Sequence, residues 1–227
     1  MKKFIVSIDQ GTTSSRVVLF DTKGNIKFIS QYEFKQYFPR NGWVEHNPNE
    51  IWSTTIKALK QTIKKAKSLK GHILTIGITN QRETTILWNK KTAKPIYNAI
   101  VWQDRRTQEY CKSLKNKNYE NTFRKKTGLF IDSYFSATKI KWILDNVKVS
   151  KKLLKTNNLL FGTVDTFLIW KLTKGKQHLT EATNASRTML FNINNNKWDN
   201  EILQKLKIPK SILPDVKNSA DNFGKTD

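Results

Sequence analysis

The first third of the chain alternates between short apolar runs and polar turns in the way that paired strands do. Residues 4–9 and 15–20 are two apolar runs joined by a polar turn through Gly11, and a third run covers 26–34 after the turn cluster at 21–25. Runs of this length separated by glycine-containing turns are typical of β-hairpins. The pattern therefore predicts an antiparallel three-stranded meander.

A helix is predicted to follow the meander. Asn47 is a good N-cap residue, Pro48 suits the first helical position and Glu50 falls in the first turn. Apolar residues then recur at three- or four-residue intervals, which predicts one buried face of a helix. That predicted face consists of Trp52, Ile56, Leu59, Ile63 and Ala66.

The rest of the chain mixes both kinds of pattern. Strands are predicted at 73–79, 84–88 and 96–102, and helices at about 104–115, 135–147, 163–172 and 199–207. Strands followed by a helix and then by strands interspersed with helices predict an α/β fold. Residues 218–227 are polar and carry neither pattern, which fits either a frayed terminus or a linker.

Composition favours a folded protein outside the membrane. Hydrophobic residues make up 37% of the 227 residues, and aromatic residues 11%, which is enough to form a core. The chain has no apolar run near the roughly 20 residues of a spanning helix. Its N-terminal apolar run ends at Asp9, too early for a signal peptide. Cys111 is the single cysteine, so no intrachain disulfide can form. We expect a cytoplasmic protein.

The net charge of +23 raises the question of nucleic-acid binding. Only seven of the 41 basic residues are arginines, whereas phosphate and base recognition favour the planar, bidentate arginine side chain. The lysines are spread along the chain beside abundant asparagine. We therefore interpret the charge as a lysine-rich surface and expect no nucleic-acid partner; steep salt dependence of binding to arbitrary DNA would indicate the opposite.

The turn between the first two predicted strands carries the strongest chemical signal. A tight glycine turn presents converging backbone N–H groups, and four consecutive hydroxyl side chains add hydrogen-bond donors for an anion. Asp9 is placed to hold Mg²⁺ and Arg16 to stabilise charge on a phosphoryl group. The alternative is a hydrophilic hairpin whose Ser and Thr side chains satisfy turn geometry. The residues concerned are Gly11, Thr12, Thr13, Ser14 and Ser15.

A second polar cluster covers residues 77–85. Arg82 and Glu83 interrupt two apolar strand-like runs, which suggests a donor and an acceptor facing a polyol. An exposed bend with a local ion pair explains the same residues equally well from composition alone.

Taken together, these segments and others along the chain resemble the glycerol kinase branch of the FGGY carbohydrate kinase family. Further matching segments are Gly42–His46, Tyr97–Gln103, Arg105–Thr107, Thr127–Leu129, Tyr134–Ser136, Lys139–Leu144, Phe161–Thr166 and Thr183–Met189. The segments follow the family's order over essentially the whole chain. The resemblance implies an actin-like, ribonuclease-H-like α/β ATPase fold with a mixed sheet and flanking helices.

The resemblance also implies roles for individual residues. Thr12, Thr13, Ser14 and Arg16 would contact the phosphates of ATP, and Asp9 would take part in binding Mg²⁺. Glycerol would be bound through its hydroxyl groups by Arg82, Glu83 and Tyr134, while Trp102 would pack against its carbons. Core packing at a strand end is an alternative for Trp102. His46, Asp165 and Asn184 lie in matching segments and are expected to be structural.

The implied reaction is transfer of the γ-phosphoryl group of ATP to glycerol, giving sn-glycerol 3-phosphate. The catalytic carboxylate of the family is an Asp followed by Gln, and the single Asp-Gln of this chain is Asp9-Gln10 in the hairpin. We therefore expect residues 1–227 to be the N-terminal domain, without the base or the C-terminal ATP-binding domain, and to be inactive alone. The alternative is a truncated remnant that binds only polyol or phosphate. The full-length family member is expected to be a homo-oligomer.

Overall fold

A computed structural model describes residues 1–226 of the chain. The chain forms two compact units. Unit 1 contains Met1–Gln36 and His46–Gln81, and unit 2 contains Tyr37–Glu45 and the chain from Arg82 onward. Within the described residues, no helix combines the length and the apolar character needed to cross a membrane.

Strands and helices alternate along the chain after an initial all-strand segment. The strands are β1 Lys2–Gln10, β2 Ser14–Asp21, β3 Ile26–Glu33, β4 Gln36–Tyr37, β5 Glu45–His46, β6 Gly71–Asn80, β7 Ile86–Asn89, β8 Ala99–Ile100, β9 Leu159–Gly162, β10 Leu179–Glu181, β11 Phe191–Asn192, β12 Lys197–Trp198 and β13 Asp215–Lys217. The helices are α1 Pro48–Ser68, α2 Gln108–Asn116, α3 Glu120–Thr127, α4 Ser136–Asn146, α5 Lys148–Lys155, α6 Val164–Leu172, α7 Ala182–Ser186 and α8 Asn200–Leu206.

Unit 1 is a four-stranded mixed sheet covered by one helix. The strand order is β3-β2-β1-β6, with β1, β2 and β3 antiparallel and β6 parallel to β1. Phe4, Val6 and Ile8 alternate with less buried residues along β1, so one face of this strand is core. The predicted meander is confirmed.

Helix α1 begins as predicted but buries a different face. Asn47 is its N-cap, and the Asn47 side chain accepts a hydrogen bond from the backbone N–H of Asn49 at 2.9 Å. Of the predicted face, only Leu59 and Ala66 are buried; the other buried side chains are Ile51, Thr55, Ala58 and Thr62. The two threonines fit in the core because each hydroxyl donates to the carbonyl four residues earlier, which satisfies it inside the helix.

Unit 2 packs short helices and strands around its own core. Leu87, Phe123, Ile140, Phe161 and Ile202 are among its fully or nearly fully buried members. Helices α4, α6 and α8 begin and end within one residue of the predicted limits. The helix predicted from 104 begins only at Gln108, because residues 104–107 form a turn held by the Asp104 side chain.

Several short elements of unit 2 carry too weak a pattern to be predicted. Helix α3 buries only Phe123 and Thr127, and helix α5 only Ser150 and Leu153. The strand predicted at 96–102 is reduced to β8, and β9 pairs antiparallel with β7 although its sequence gave no strand prediction. The fold class is nevertheless the predicted mixed α/β arrangement.

Candidate functional site

The hydroxyl-rich turn of unit 1 is a tight connection between β1 and β2. The Gly11 N–H donates to the Ser14 carbonyl at 2.9 Å, and the Thr13 carbonyl accepts from Phe34 N–H at 3.2 Å. Thr12 is half-buried and Thr13 is exposed. The Ser14 hydroxyl accepts a hydrogen bond from the Gln31 side chain at 3.0 Å. The turn therefore presents hydroxyl groups from a backbone that is fixed at both ends.

The fourth hydroxyl of this turn has a structural role. Ser15 is buried, and its hydroxyl shares a 2.9 Å hydrogen bond with the hydroxyl of Thr54 on α1. This contact fastens the hairpin to the helix. Ser15 was not assigned to phosphate binding, and its burial is consistent with that choice.

Asp9 and Arg16 face each other across the β1–β2 ladder. The two are register partners, and both the Nε and the terminal guanidinium nitrogen of Arg16 donate to Asp9 Oδ2. Their side chains are partly exposed, at 33% for Asp9 and 48% for Arg16. Because the second Asp9 oxygen is not held by Arg16, this carboxylate fits the one or two carboxylates with which proteins usually bind Mg²⁺. No cluster of three potential metal ligands exists in residues 1–226.

A buried amide and imidazole cluster holds the base of the hairpin. The Gln81 side chain donates to Gln10 Oε1 and to the Gly11 carbonyl, both at 3.1 Å, and lies 3.3 Å from His46 Nδ1. His46 Nε2 bonds Gln36 Oε1. Burial lowers the pKa of His46 to about 4, so the ring is neutral. His46 accordingly supports the hairpin.

In unit 2, Glu83 lies in a constrained and buried position. Its backbone adopts φ of 63°, a left-handed conformation that is rare for a residue other than glycine. Its carbonyl accepts hydrogen bonds from the hydroxyls of Ser136 at 3.0 Å and Thr85 at 3.2 Å. Its carboxylate accepts from Arg187 Nε at 2.6 Å. Backbone strain of this kind is concentrated at functional sites, where the surrounding structure fixes one side chain.

Aromatic side chains lie around the same ion pair. The Arg187 guanidinium carbon lies 5.6 Å from the Tyr134 ring centroid and 5.0 Å from that of Phe135. The Trp102 and Tyr134 rings lie 5.5 Å apart, and both are half-buried. Tyr134 therefore contacts both the ion pair and Trp102, whereas Arg82 is exposed next to Glu83 in the chain.

Lys139 lies behind Tyr134 and is completely buried. Its ammonium group donates to the Tyr134 carbonyl at 2.6 Å. Burial lowers the pKa of Lys139 to about 7, and the nearby carboxylates of Asp104, Glu83 and Asp132 act in the opposite direction. A lysine in this position fixes the backbone that presents the Tyr134 ring.

A second buried charged group stabilises the loop next to Trp102. Arg106 donates to Asp104 at 2.8 Å and to Glu45 at 2.7 Å, and its guanidinium carbon lies 3.8 Å from the Trp43 ring centroid and 4.7 Å from that of Trp142. Asp104 also accepts from the Val44 N–H at 2.7 Å. The ion pairs and rings together hold the turn that follows Trp102.

Two matching segments expected to be structural are well connected inside unit 2. Asp165 is buried and accepts hydrogen bonds from the hydroxyls of Thr163 and Thr180, while burial raises its pKa to about 6. The Asn184 side chain donates to Glu181 at 2.8 Å. These contacts lie within secondary-structure connections and leave no group presented for chemistry.

The structure thus places the predicted phosphate-binding residues together in unit 1, on one turn, and groups Glu83, Trp102 and Tyr134 in unit 2. Two members of the second group were not identified from sequence as site residues. Arg187 is 104 positions from Glu83, and its only signal was membership of the matching segment Thr183–Met189. Lys139 read as part of an amphipathic helix, because nothing in a single sequence shows that a lysine is buried.

The sheet order of unit 1 and the hydroxyl-rich turn define an α/β protein of the actin-like, ribonuclease-H-like ATPase class, which confirms the expected fold. The chain belongs to the FGGY family of carbohydrate kinases, whose N-terminal domain matches residues 4–227.

Similar proteins bear the same family relationship. The chain is 55% identical over 227 residues to a glycerol kinase of Petrotoga mobilis (strain DSM 10674 / SJ95), covering 100% of this chain and 46% of that protein. It is 56% identical over 225 residues to a glycerol kinase of Borrelia duttonii (strain Ly), covering 99% and 45%. The chain therefore spans about half the length of the curated relatives it matches.

Solved structures agree with this relationship. The crystal structure of Plasmodium falciparum glycerol kinase with ADP matches with a TM-score of 0.95 and 38% identity, over 100% of this chain and 45% of that chain. A gluconate kinase from Lactobacillus acidophilus matches with a TM-score of 0.83 and 24% identity, over 96% and 42%. The second match supports the fold alone.

Proposed function

We propose that this chain is the N-terminal domain of a glycerol kinase that transfers the γ-phosphoryl group of ATP to glycerol, giving sn-glycerol 3-phosphate. The observation that carries the proposal is the buried, conformationally constrained Glu83 beside Tyr134 and Trp102, in a chain 55% identical to a glycerol kinase. A fixed carboxylate is suited to accept hydrogen bonds from hydroxyl groups.

In this proposal, unit 2 recognises the polyol. Glu83 accepts hydrogen bonds from the glycerol hydroxyls, and Arg82 and Tyr134 bind the same groups. Trp102 packs against the carbon chain, since an indole ring buries C–H groups well. Arg187 is a positioning residue, because its 2.6 Å hydrogen bond to Glu83 fixes one carboxylate oxygen and leaves the other for substrate.

Unit 1 is proposed to bind the phosphates of ATP. Thr12, Thr13 and Ser14 donate hydrogen bonds from the rigid turn, and Arg16 supplies positive charge, as phosphoryl transfer requires. Asp9 would hold Mg²⁺, which neutralises charge on the phosphates when bound. The Arg16–Asp9 ion pair keeps the carboxylate oriented in the meantime.

The remaining parts of the reaction are proposed to come from outside this sequence. The Asp-Gln carboxylate that accepts the proton of the attacking hydroxyl, and the segment that binds adenosine, belong in this family to segments that find no match here. We therefore propose that residues 1–227 alone show no glycerol-dependent ATP consumption. We also propose a cytoplasmic location and homo-oligomerisation for the longer protein, as in the family it resembles.

The test is calorimetric titration of glycerol into the 227-residue chain and its Glu83→Gln variant. We expect the wild-type chain to bind glycerol and Glu83→Gln to bind at least about tenfold more weakly, because a charged acceptor is lost. Glu109→Gln is the matched control, since Glu109 is an exposed glutamate paired only with Lys112 on α2. Equal binding by wild type and Glu83→Gln would contradict the assignment of Glu83.

A parallel assay follows ATP consumption with and without glycerol. We expect no turnover from the 227-residue chain with either substrate combination. Turnover that disappears in Glu83→Gln would show that the chain is catalytically complete and would reject the proposal that the base lies elsewhere.

A further inference from the structure

Unit 2 contains a cavity that the proposed kinase reaction does not use. It has a volume of about 530 Å³ and lies between the first two turns of α2 with the preceding turn on one side and residues 131–134 on the other. This volume falls within the roughly 300–1,000 Å³ of small-molecule sites. Trp102 and Tyr134 form one wall, but Arg82 and Glu83 do not line the cavity.

Positive charge dominates the side of the cavity formed by α2 and the turn before it. Arg105, Lys112 and Lys115 line this side. Lys112 forms an exposed ion pair with Glu109, whereas neither Arg105 nor Lys115 forms an ion pair with any carboxylate of residues 1–226. Two cationic side chains are therefore available to an anion that enters the cavity.

The carboxylates of the lining do not cancel this charge. Asp104 has both oxygens engaged, since Oδ1 accepts from Arg106 Nε and Oδ2 accepts from Arg106 and from the Val44 N–H. Asp132 is exposed, and its Oδ1 accepts from the Tyr134 N–H at 2.7 Å. Asp132 is thus suited to accept a hydrogen bond from a hydroxyl group of a ligand while the cations bind its anionic end.

The remaining lining excludes other kinds of site. Burial raises the pKa of the Cys111 thiol to about 11, so this side chain is neutral and unreactive at neutral pH. No three potential metal ligands come together in the described part of the chain. Gln103, Gln108 and Ser133 add neutral donors and acceptors, and the paired rings of Trp102 and Tyr134 offer an apolar wall for C–H groups.

We propose that this cavity binds a phosphate monoester of a polyol, with the phosphate at Arg105 and Lys115 and the hydroxyl-bearing chain along Asp132, Ser133 and the Trp102–Tyr134 wall. Arg105 and Lys115 donate charge-assisted hydrogen bonds to the phosphate oxygens. The volume exceeds what inorganic phosphate needs, and the neutral polar lining matches several hydroxyl groups. No covalent step is involved.

The experiment titrates the 227-residue chain with three probes: sorbitol 6-phosphate, sorbitol and inorganic phosphate. We expect sorbitol 6-phosphate to bind at least about tenfold more tightly than either of the other two, since each lacks one half of the ligand. The double variant Arg105→Gln/Lys115→Gln should weaken binding of sorbitol 6-phosphate by about tenfold or more. The matched control is Lys151→Gln/Lys155→Gln, which removes two exposed cations from α5 and should bind like wild type.

The outcomes separate this proposal from the proposed kinase function. Binding that survives Glu83→Gln but is lost in Arg105→Gln/Lys115→Gln supports the cavity, whereas the reverse pattern assigns the ligand to the glycerol-binding residues and overturns it. Equal affinity for inorganic phosphate and sorbitol 6-phosphate overturns the polyol part. Absence of sorbitol 6-phosphate binding, or equal loss in the α5 control, overturns the site altogether. Glycerol binding by the same variants reports on the kinase proposal independently.

Discussion

At the scale of single residues, the least expected group in the molecule is the ammonium of Lys139. It is entirely buried, and its 2.6 Å hydrogen bond to the Tyr134 carbonyl joins α4 to a residue proposed to contact substrate. A buried lysine disfavours its charged form because the interior solvates charge poorly. The stability of unit 2 should therefore depend on pH in a way that one substitution removes.

We predict that the free energy of unfolding rises between pH 7 and pH 10 because of Lys139. Burial lowers the pKa of Lys139 from 10.5 to about 7, so in this range the unfolded chain binds a proton that the folded chain releases. Stability is consequently gained as pH rises and lost as pH falls toward 7. Urea denaturation of wild type and Lys139→Met across this range should show a steeper rise for wild type.

Cys111→Ala is the control for this measurement. Burial raises the pKa of the Cys111 thiol to about 11, so its titration affects stability mainly at the alkaline end of the range. Parallel pH profiles for wild type and Lys139→Met would show that Lys139 keeps an ordinary pKa in the folded chain.

The Glu83–Arg187 ion pair gives a second residue-scale prediction. The side chains are 5% and 31% exposed, so Arg187→Gln leaves a nearly buried carboxylate without its cation. We expect a loss of about 2 kcal/mol in the free energy of unfolding, measured by urea denaturation at neutral pH, because breaking a buried pair exposes the desolvation cost of the remaining charge. Arg124→Gln, at an exposed arginine of the same unit, should cost little. A similar cost for both variants would show that Glu83 does not depend on Arg187.

At the scale of elements, helix α1 shows what a single sequence can and cannot predict. Its first residue was predictable because Asn47, Pro48 and Glu50 each have a local reason to be there. Its buried face was not, because Thr55 and Thr62 count as polar in any hydrophobicity pattern although their hydroxyls are satisfied within the helix. Periodicity therefore located the helix but assigned its apolar stripe to the wrong side.

The same distinction applies to the candidate site. The turn at Gly11–Ser14 is local, so its sequence shows both the glycine and the hydroxyl groups. The left-handed backbone of Glu83 depends on Ser136 and Arg187, which lie 53 and 104 positions away. No local pattern encodes such a contact, and only resemblance to a family indicated Glu83 and Tyr134 as parts of one site.

The cap of α1 supplies a prediction at the element scale. Asn47→Ala removes the acceptor of the Asn49 N–H, so we expect unit 1 to lose about 1 kcal/mol of stability. Asn47→Asp retains an acceptor and should restore most of that loss. The measurement is the urea midpoint followed by a probe in unit 1, such as amide exchange in α1. An alanine variant as stable as wild type would mean that water replaces the cap without cost.

At the scale of the whole molecule, charge is the property that sets this chain apart. A net charge of +23 on 227 residues means that most of the surface lysines lack an acidic partner. Several ion pairs that do form connect neighbouring positions on one helix, such as Lys112–Glu109 and Lys141–Asp145, and exposed pairs of this type stabilise little. Repulsion among the remaining lysines should therefore oppose folding.

This repulsion predicts that salt stabilises the chain. Raising ionic strength from 0.01 M to 0.1 M shortens the screening length from about 30 Å to about 10 Å, which weakens repulsion between distant lysines more than attraction within close ion pairs. We expect a gain on the order of 1 kcal/mol, or about 2–4 °C in the unfolding midpoint. Sodium chloride and choline chloride should act alike if screening is the cause, whereas sucrose at matched osmolality should not reproduce the salt dependence. A midpoint that falls with salt would mean that attractive pairs, including the buried Arg106 and Glu83 networks, outweigh the excess of lysine.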